Sequence, residues 1–76
     1  MSQRLPRITA AELLRALRRA GWKVDHQHGS HVYLRHEEHS GLVTVPVHAG
    51  RTLKPKTLAS ILDQASLDTE RLRALL

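Results

Sequence analysis

The sequence predicts a two-layer α+β domain with the element order α-β-β-β-α, in which helices cover one face of a three-stranded antiparallel sheet. Three observations support this fold class. Apolar residues recur every three or four positions between residues 10 and 20, which is typical of a helix. From residue 22 to residue 47 they alternate with polar residues, as in strands, and after residue 57 the helical spacing returns. Because an apolar sheet face needs a second apolar layer, we expect the helices to pack against it.

The length and composition describe one small domain, residues 1–76. A chain of this size buries roughly 60% of the surface that its unfolded form exposes, so its core is small. The sequence contains no cysteine, and no apolar run reaches the roughly 18 residues of a membrane-spanning helix. The opening "MSQRLPRITA" also lacks the apolar segment of a signal peptide. We therefore expect a cytoplasmic protein without disulfides and without a membrane partner.

The first predicted element is a helix with both a start signal and a stop signal. Thr9 followed by Glu12 has the spacing of a capping box, in which each side chain satisfies the other residue's free main-chain donor. Gly21 has the position of a left-handed residue just after the helix, with Trp22 placed to cover Leu17. The apolar face of this helix consists of Ala10, Leu13, Leu14, Leu17 and Ala20.

Three strands are predicted from the alternation in "WKVDHQ", "HVYLRH" and "LVTVPV". The residues expected to share one side are Trp22, Val24 and His26 in the first strand, Val32 and Leu34 in the second, and Val43, Val45 and Val47 in the third. The opposite, polar side of the middle strand carries His31, Tyr33 and Arg35. Gly29-Ser30 and "EEHSG" are predicted as hairpin turns. Pro46 cannot donate to a ladder, so it marks an edge position or the end of a strand.

The C-terminal third is predicted to contain a loop and two helical segments. The loop is the basic stretch "HAGRTLKPK". Thr57 is expected to cap a short helix, "LASILDQA", and Asp68 to begin a last segment, "TERLRALL". The residues of the short helix that are expected to cover the sheet are Leu58, Ile61, Leu62 and Ala65.

The charge balance indicates a polyanionic partner. Twelve Lys and Arg residues against seven Asp and Glu residues give a formal net charge of +5. On so small a body this charge attracts nucleic acid in the first place and an acidic protein in the second. The only Trp and Tyr residues are Trp22 and Tyr33, and there is no Phe, which argues against an open stacking platform for single-stranded bases.

Five of the six histidines lie between residues 26 and 39, which raises the question of a metal site. Thiolates are absent and most of these imidazoles fall in or beside turns, whereas a structural zinc site needs four rigidly held ligands. We therefore expect no metal, and we interpret His26, His28, His36 and His39 as polar residues of turns and strand ends. His31 and His48 are both expected on the polar sheet face. An imidazole titrates near neutral pH and is suited to proton transfer, although spacing alone is better explained by ordinary surface histidines.

The run "HGSHVYL" and the later "VTVPVHAGRTLKPKTLASILDQASL" resemble the HicA family of toxin ribonucleases. The shared features are a Gly-Ser-His step at a strand start, a Val-Pro-x-His step, a Leu-Lys-x-Gly-Thr-Leu-type helix start and an Ile-Leu-x-Gln-Ala-Gly-Leu-type segment. The opening "LPRITAAELLRALRRAGW" is similar to the first helix of that family. Two positions differ from its pattern, since Lys56 and Ser66 stand where glycine is common.

The resemblance implies a fold like that of double-stranded-RNA-binding domains. It also implies a metal-independent endoribonuclease without cofactors that cleaves mRNA, acts as the toxin of a type II toxin–antitoxin system and is neutralised by a HicB-type antitoxin. By position, the family's catalytic histidine corresponds to His31, preceded by the small residues Gly29 and Ser30. His48 corresponds to the histidine of the Val-Pro-x-His step, and Ser30 and His48 are candidates for a supporting role.

We therefore expect His31 to act as general base or general acid in RNA cleavage by the substrate's own 2′-hydroxyl. The cations that we expect to contact the RNA are Lys23, Arg35, Arg51, Lys54, Lys56, Arg15, Arg18 and Arg19. For the three arginines of the first helix, an ordinary solvated helix face is an alternative. Two other functions fit the same charge and fold, because a fold alone does not define a function. They are a non-catalytic RNA-binding module and a domain that docks an acidic partner.

Overall fold

The computed structural model describes residues 4–76 and confirms the predicted fold class. Three strands form an antiparallel sheet with the spatial order β1-β2-β3, so β2 is central and both neighbours are edge strands. Among residues 4–76, no helix has the length and apolar character needed to cross a membrane. The elements are α1 (Ala10–Arg19), β1 (Lys23–His28), β2 (His31–His36), β3 (His39–Pro46), α2 (Pro55–Gln64) and α3 (Thr69–Leu75).

Both predicted end signals of α1 are confirmed. Thr9 and Glu12 form the complete capping box, with the Glu12 carboxylate accepting from the Thr9 main-chain N–H at 2.9 Å. At the other end Gly21 has a φ of +98°, and the Trp22 N–H donates to the Leu17 carbonyl oxygen at 3.0 Å. This is the Schellman arrangement, which satisfies helix carbonyls and turns the chain into β1 with Trp22 buried.

The core lies between the helices and one face of the sheet. The strands contribute Val32, Leu34, Val43 and Val45, all buried as their alternation predicts. The helices contribute Leu13 and Leu17 of α1, Leu58, Ile61 and Leu62 of α2, and Leu72 of α3. Ala65, just after α2, is also buried, and Val47 is partly buried against the same core.

Strand β1 departs from the predicted alternation. Val24 pairs with Leu34, but the next pair is His26 with Tyr33, so Asp25 is an extra residue in a β-bulge. Because directly paired residues lie on the same face of a sheet, the bulge moves His26 to the polar face, and its predicted side was wrong. Val24 stays on the helix side but is 41% exposed, because α1 and α2 pack against β3 at the other edge.

The second hairpin is tighter than predicted. Only Glu37 and Glu38 form the turn, and β3 already begins at His39, whereas the sequence placed His39, Ser40 and Gly41 in the turn. A further irregularity between Leu34 and His36 accommodates these additional β3 residues. Pro46 ends β3 at the sheet edge, as predicted.

The start of α2 was predicted three residues too late, with Thr57 as the N-cap residue and Leu58 as the first helical residue. The N-cap residue is Lys54 and Pro55 is the first helical residue, so Thr57 lies inside the first turn and does not cap the helix. Proline suits this position because its missing N–H would have no helical partner anyway. The prediction that Asp68 begins the last helix is confirmed, since its carboxylate accepts from the Arg71 main-chain N–H at 2.7 Å.

The basic loop between β3 and α2 is attached to the segment that precedes α1. Leu53 is buried, and its N–H donates to the Ile8 carbonyl oxygen at 2.8 Å. Thr52 forms an isolated antiparallel bridge with Thr9. These contacts hold the loop against the body of the domain, which the local pattern of the loop did not indicate.

Candidate active site

His31 occupies the first position of the central strand, immediately after the first hairpin turn. Gly29 supplies the positive φ (+58°) that a two-residue turn with glycine at its first central position requires. His31 pairs with His28 of β1 and with Pro46 of β3, and its side chain is exposed on the face opposite the helices. The turn and the sheet register therefore place this imidazole where a substrate has access.

A shallow, open depression of about 410 Å³ includes His31 and runs between β3 and α2. We call it the His31 depression. Strand β3 contributes Thr44 and Pro46, and the remaining lining residues come from α2, namely Lys56, Thr57, Ser60, Ile61 and Gln64. The depression therefore brings one imidazole, one ammonium group and several neutral hydrogen-bonding groups together.

A second depression of about 340 Å³ includes His48, and we call it the His48 depression. Its cations are Arg51 and Lys54 of the basic loop. Pro46 and Thr57 line both depressions, so the two adjoin each other. The two histidines therefore lie in neighbouring parts of one surface, rather than in a single pocket.

The structure brings together three of the eight predicted RNA-contacting cations. Arg51, Lys54 and Lys56 are exposed and line the two adjoining depressions. Lys23 and Arg35 instead line a third depression of about 320 Å³ with Glu37 and Glu38, towards the other end of β2. The carboxylates there offset much of the local positive charge.

The arginines of α1 line none of these depressions. Arg19 donates to the carbonyl oxygen of Leu75 at 2.6 Å and thereby caps the end of α3. Arg15 lies close enough to Glu12 to contribute to lowering the pKa of that carboxyl group. Arg18 is exposed in the last turn of α1, where a cation also suits the helix dipole.

The other clustered histidines have packing roles beyond that of polar turn residues. His36 lies 5.1 Å and His39 lies 4.9 Å from Trp22, measured between ring centroids. The His36 Nε2 lies 3.0 Å from the carbonyl oxygen of Ala20, so this side chain provides a hydrogen-bond partner for a main-chain carbonyl group at the C-terminal end of α1. Within residues 4–76, no group of three or more histidine, aspartate or glutamate side chains is arranged to hold a metal ion.

Of the polar α2 residues that line the His31 depression, the sequence predicted Lys56 but not Thr57, Ser60 and Gln64. Lys56, Ser60 and Gln64 recur at four-residue spacing and therefore line one stripe of the helix. Gln64 accepts from the main-chain N–H of Thr44 and donates to Ser60, both at 3.4 Å. This polar stripe becomes recognisable once α2 is extended back to Pro55, since the predicted helix began only at Leu58 and left Lys56 outside it.

Comparison with known proteins gives one family. The model of a family described as "HicA toxin of bacterial toxin-antitoxin" matches residues 10–67, which is more than half of the chain. The matched range begins with α1, ends after α2 and contains every residue that lines the His31 and His48 depressions. A search of the curated proteins gives no match.

Proposed function

The chain belongs to the HicA toxin family of bacterial toxin–antitoxin systems, and we propose from this premise that it is an endoribonuclease that cleaves mRNA with His31 as a catalytic residue. The observation that carries the proposal is the position of the exposed His31 beside Lys56, with Arg51 and Lys54 in the adjoining depression. An imidazole next to several cations is the combination that phosphodiester cleavage requires, because a proton must move and negative charge gathers on phosphate.

In the proposed reaction, the 2′-hydroxyl of the substrate attacks the neighbouring phosphorus. His31 accepts the proton of this hydroxyl as the oxygen–phosphorus bond forms. The bond from phosphorus to the 5′-oxygen of the next nucleotide breaks, and that oxygen leaves with a proton from a general acid. The products are a 2′,3′-cyclic phosphate and a free 5′-hydroxyl. General acid–base catalysis of this kind contributes about 10²- to 10⁴-fold in rate.

His48 is the proposed general acid, and Ser30 has a supporting role through its main chain. The Val47 N–H donates to the Ser30 carbonyl oxygen at 2.6 Å, so the turn before His31 is tied to the residue before His48. Lys56, Lys54 and Arg51 would stabilise the charge on the phosphate and hold the RNA backbone. The positive end of the α2 dipole adds to the same field, since α2 begins between Lys54 and Lys56.

A HicB-type antitoxin is the proposed protein partner. Membership in a toxin–antitoxin family implies a neutralising partner. An antitoxin with acidic groups would complement the formal charge of +5 and compete with RNA for the same surface.

The test compares purified wild-type protein with His31→Ala on a single-stranded RNA. His28→Ala is a matched control, because His28 is also an exposed histidine, lies on the other side of the turn and lines neither depression. We expect His31→Ala to lose about 10²-fold or more in cleavage rate and His28→Ala to retain most of it. Wild-type protein should produce 2′,3′-cyclic phosphate ends, should leave DNA intact and should keep its activity with a chelator.

The same variants should be compared for growth arrest on expression in cells. Equal cleavage by wild type and His31→Ala, or loss of activity with a chelator, would contradict the proposed mechanism. RNA binding without cleavage by the wild-type protein would instead favour the non-catalytic RNA-binding module.

A further inference from the structure

Two aromatic rings are stacked on the polar face of the sheet beside the proposed catalytic residue. The ring centroids of His26 and Tyr33 lie 4.4 Å apart, and their planes differ by only 7°. The bulge at Asp25 creates this pair, because without it His26 would point to the helix side. The scarcity of tryptophan, tyrosine and phenylalanine argued against an open stacking platform. The imidazole of His26, however, supplies a second ring beside Tyr33.

Polar contacts orient the His26 ring of the pair. The His26 Nδ1 lies 2.7 Å from one carboxylate oxygen of Asp25, and the other carboxylate oxygen lies 3.7 Å from the Arg35 Nε. Arg35 therefore neutralises the carboxylate that orients His26. The His26 side chain is nevertheless 51% exposed, so this ring is oriented while it remains open to solvent, and the Tyr33 ring beside it is half-buried.

The pair lies next to the His31 depression. Tyr33 follows His31 by two residues on the same face of β2, which corresponds to about 6.6 Å along the strand. Because His26 belongs to β1 and is stacked on Tyr33, it covers the ring face towards β1 and not the ring face towards β3. The β3 residue paired with Tyr33 is Thr44, which also lines the His31 depression. A planar group on that side of Tyr33 would therefore lie beside His31.

We propose that His26 and Tyr33 form a stacking platform for an unpaired base of the RNA, next to the phosphate that is cleaved. This inference rests on the proposed function and narrows its substrate to single-stranded RNA. Bases that are unstacked from a duplex bind to tyrosine and histidine rings in this way, whereas a base within a duplex is already covered by its neighbours. The formal charge of +5 supplies the attraction for the backbone, and the ring pair supplies the contact with the base.

The test measures binding without cleavage. The probe is a short single-stranded oligodeoxynucleotide, which lacks the 2′-hydroxyl, and the comparison probe is an abasic oligomer with the same number of phosphates. Stacking contributes about 5- to 150-fold in affinity for one base, so wild-type protein should prefer the base-containing probe by that factor. Tyr33→Ala should abolish the preference, Tyr33→Phe should keep it, and His26→Ala should reduce it. Emission from the buried Trp22 checks that each variant is folded.

Several outcomes would overturn the platform. The first is equal affinity of the wild type for the two probes. The second is an unchanged preference for the base-containing probe in Tyr33→Ala or His26→Ala, or a lost preference in Tyr33→Phe. The third is binding of the corresponding duplex as tightly as of the single strand. The cleavage test of His31→Ala is independent of this measurement, because no probe here can be cleaved through a 2′-hydroxyl. Failure of the platform and failure of the proposed catalysis are therefore distinguishable.

Discussion

Val47 donates its main-chain N–H to the carbonyl oxygen of Ser30 at 2.6 Å. This hydrogen bond extends the β2–β3 register by one pair beyond His31 and Pro46. It joins the residue before His31 to the residue before His48, although 17 positions separate the two histidines. The two imidazoles therefore start from neighbouring points of the backbone and line adjoining depressions.

His48→Ala should lower kcat for RNA cleavage by about 10²-fold or more, because the departing 5′-oxygen would lose its proton donor. Thr52→Ala is the control, since Thr52 lines the His48 depression but cannot transfer a proton near neutral pH. An unchanged kcat in His48→Ala would remove His48 from the mechanism.

Lys54→Gln and Lys56→Gln should each weaken RNA binding and make it less dependent on salt. Each phosphate contact with single-stranded nucleic acid contributes about 0.7 to the slope of log affinity against log salt concentration. Titrations of RNA binding at several salt concentrations measure this slope. Arg71→Gln makes the same change of charge on α3, outside both depressions, and should leave the slope nearly unaltered. Equal slopes for all these proteins would contradict a phosphate contact at the loop.

Gly21→Ala should lower the free energy of unfolding by about 2–4 kcal/mol, because it combines backbone strain with a steric conflict. Gly21 has a φ of +98°, and a Cβ atom there would lie 2.7 Å from the His36 Nε2. His36 is held by its contacts with Ala20 and Trp22, so it cannot move away without loss. Denaturant titration followed by Trp22 emission measures the effect.

Two other glycines provide graded controls for Gly21→Ala. Gly29 has a positive φ but open space around it, so Gly29→Ala should cost only the strain, about 1–2 kcal/mol. Gly41 has neither a positive φ nor a neighbour within 4 Å, and Gly41→Ala should change stability by less than about 0.5 kcal/mol. A smaller loss for Gly21→Ala than for Gly29→Ala would refute the steric conflict.

Ser66→Gly should raise the free energy of unfolding by about 0.5–1 kcal/mol, after allowance for the greater freedom of glycine in the unfolded chain. Ser66 has a φ of +56°, and the Leu67 N–H donates to the Leu62 carbonyl oxygen at 2.9 Å, so Ser66 is the left-handed residue of a Schellman motif. The HicA family commonly has glycine at this position. Ser60→Gly within α2 is the matched control and should be destabilising by a similar amount.

Glu12 should make the stability of the domain depend on acid pH. Its pKa lies below the ordinary glutamate value, chiefly because the Thr9 main-chain N–H donates to the carboxylate, with further contributions from the Thr9 hydroxyl and Arg15. A lowered folded-state pKa stabilises the domain above the unfolded-state pKa, and this contribution is lost as the pH falls through the folded-state pKa. The difference in unfolding free energy between wild type and Glu12→Gln should therefore shrink on acidification. A constant difference between pH 7 and strong acid would contradict this linkage.

Much of the local structure followed from residues that are close together in the sequence. The ends of α1 depend on Thr9, Glu12 and Gly21, whose partners lie within four or five positions, so their spacing alone predicted both caps. The alternation in "HVYLRH" likewise predicted the side of His31, because β2 is central and has no inserted residue between His31 and Leu34. The start of α2 was wrong by three residues because a capping Thr57 and a first-turn Pro55 are competing start signals, and a sequence pattern does not rank them.

The amino-acid sequence by itself thus determined the order of the elements, the caps of α1, the exposed position of His31 and the positive charge. Only the tertiary structure decided which cations lie near His31 and which rings are stacked beside it. Arg51, Lys54 and Lys56 line the adjoining depressions because the loop is bound to Ile8 and Thr9, whereas Arg19 is used at the end of α3. The side of His26 depends on a bulge at Asp25 that exists only in the pairing with β2. Such contacts depend on which distant segments meet and on where a strand carries an extra residue, and the alternation within one strand shows neither.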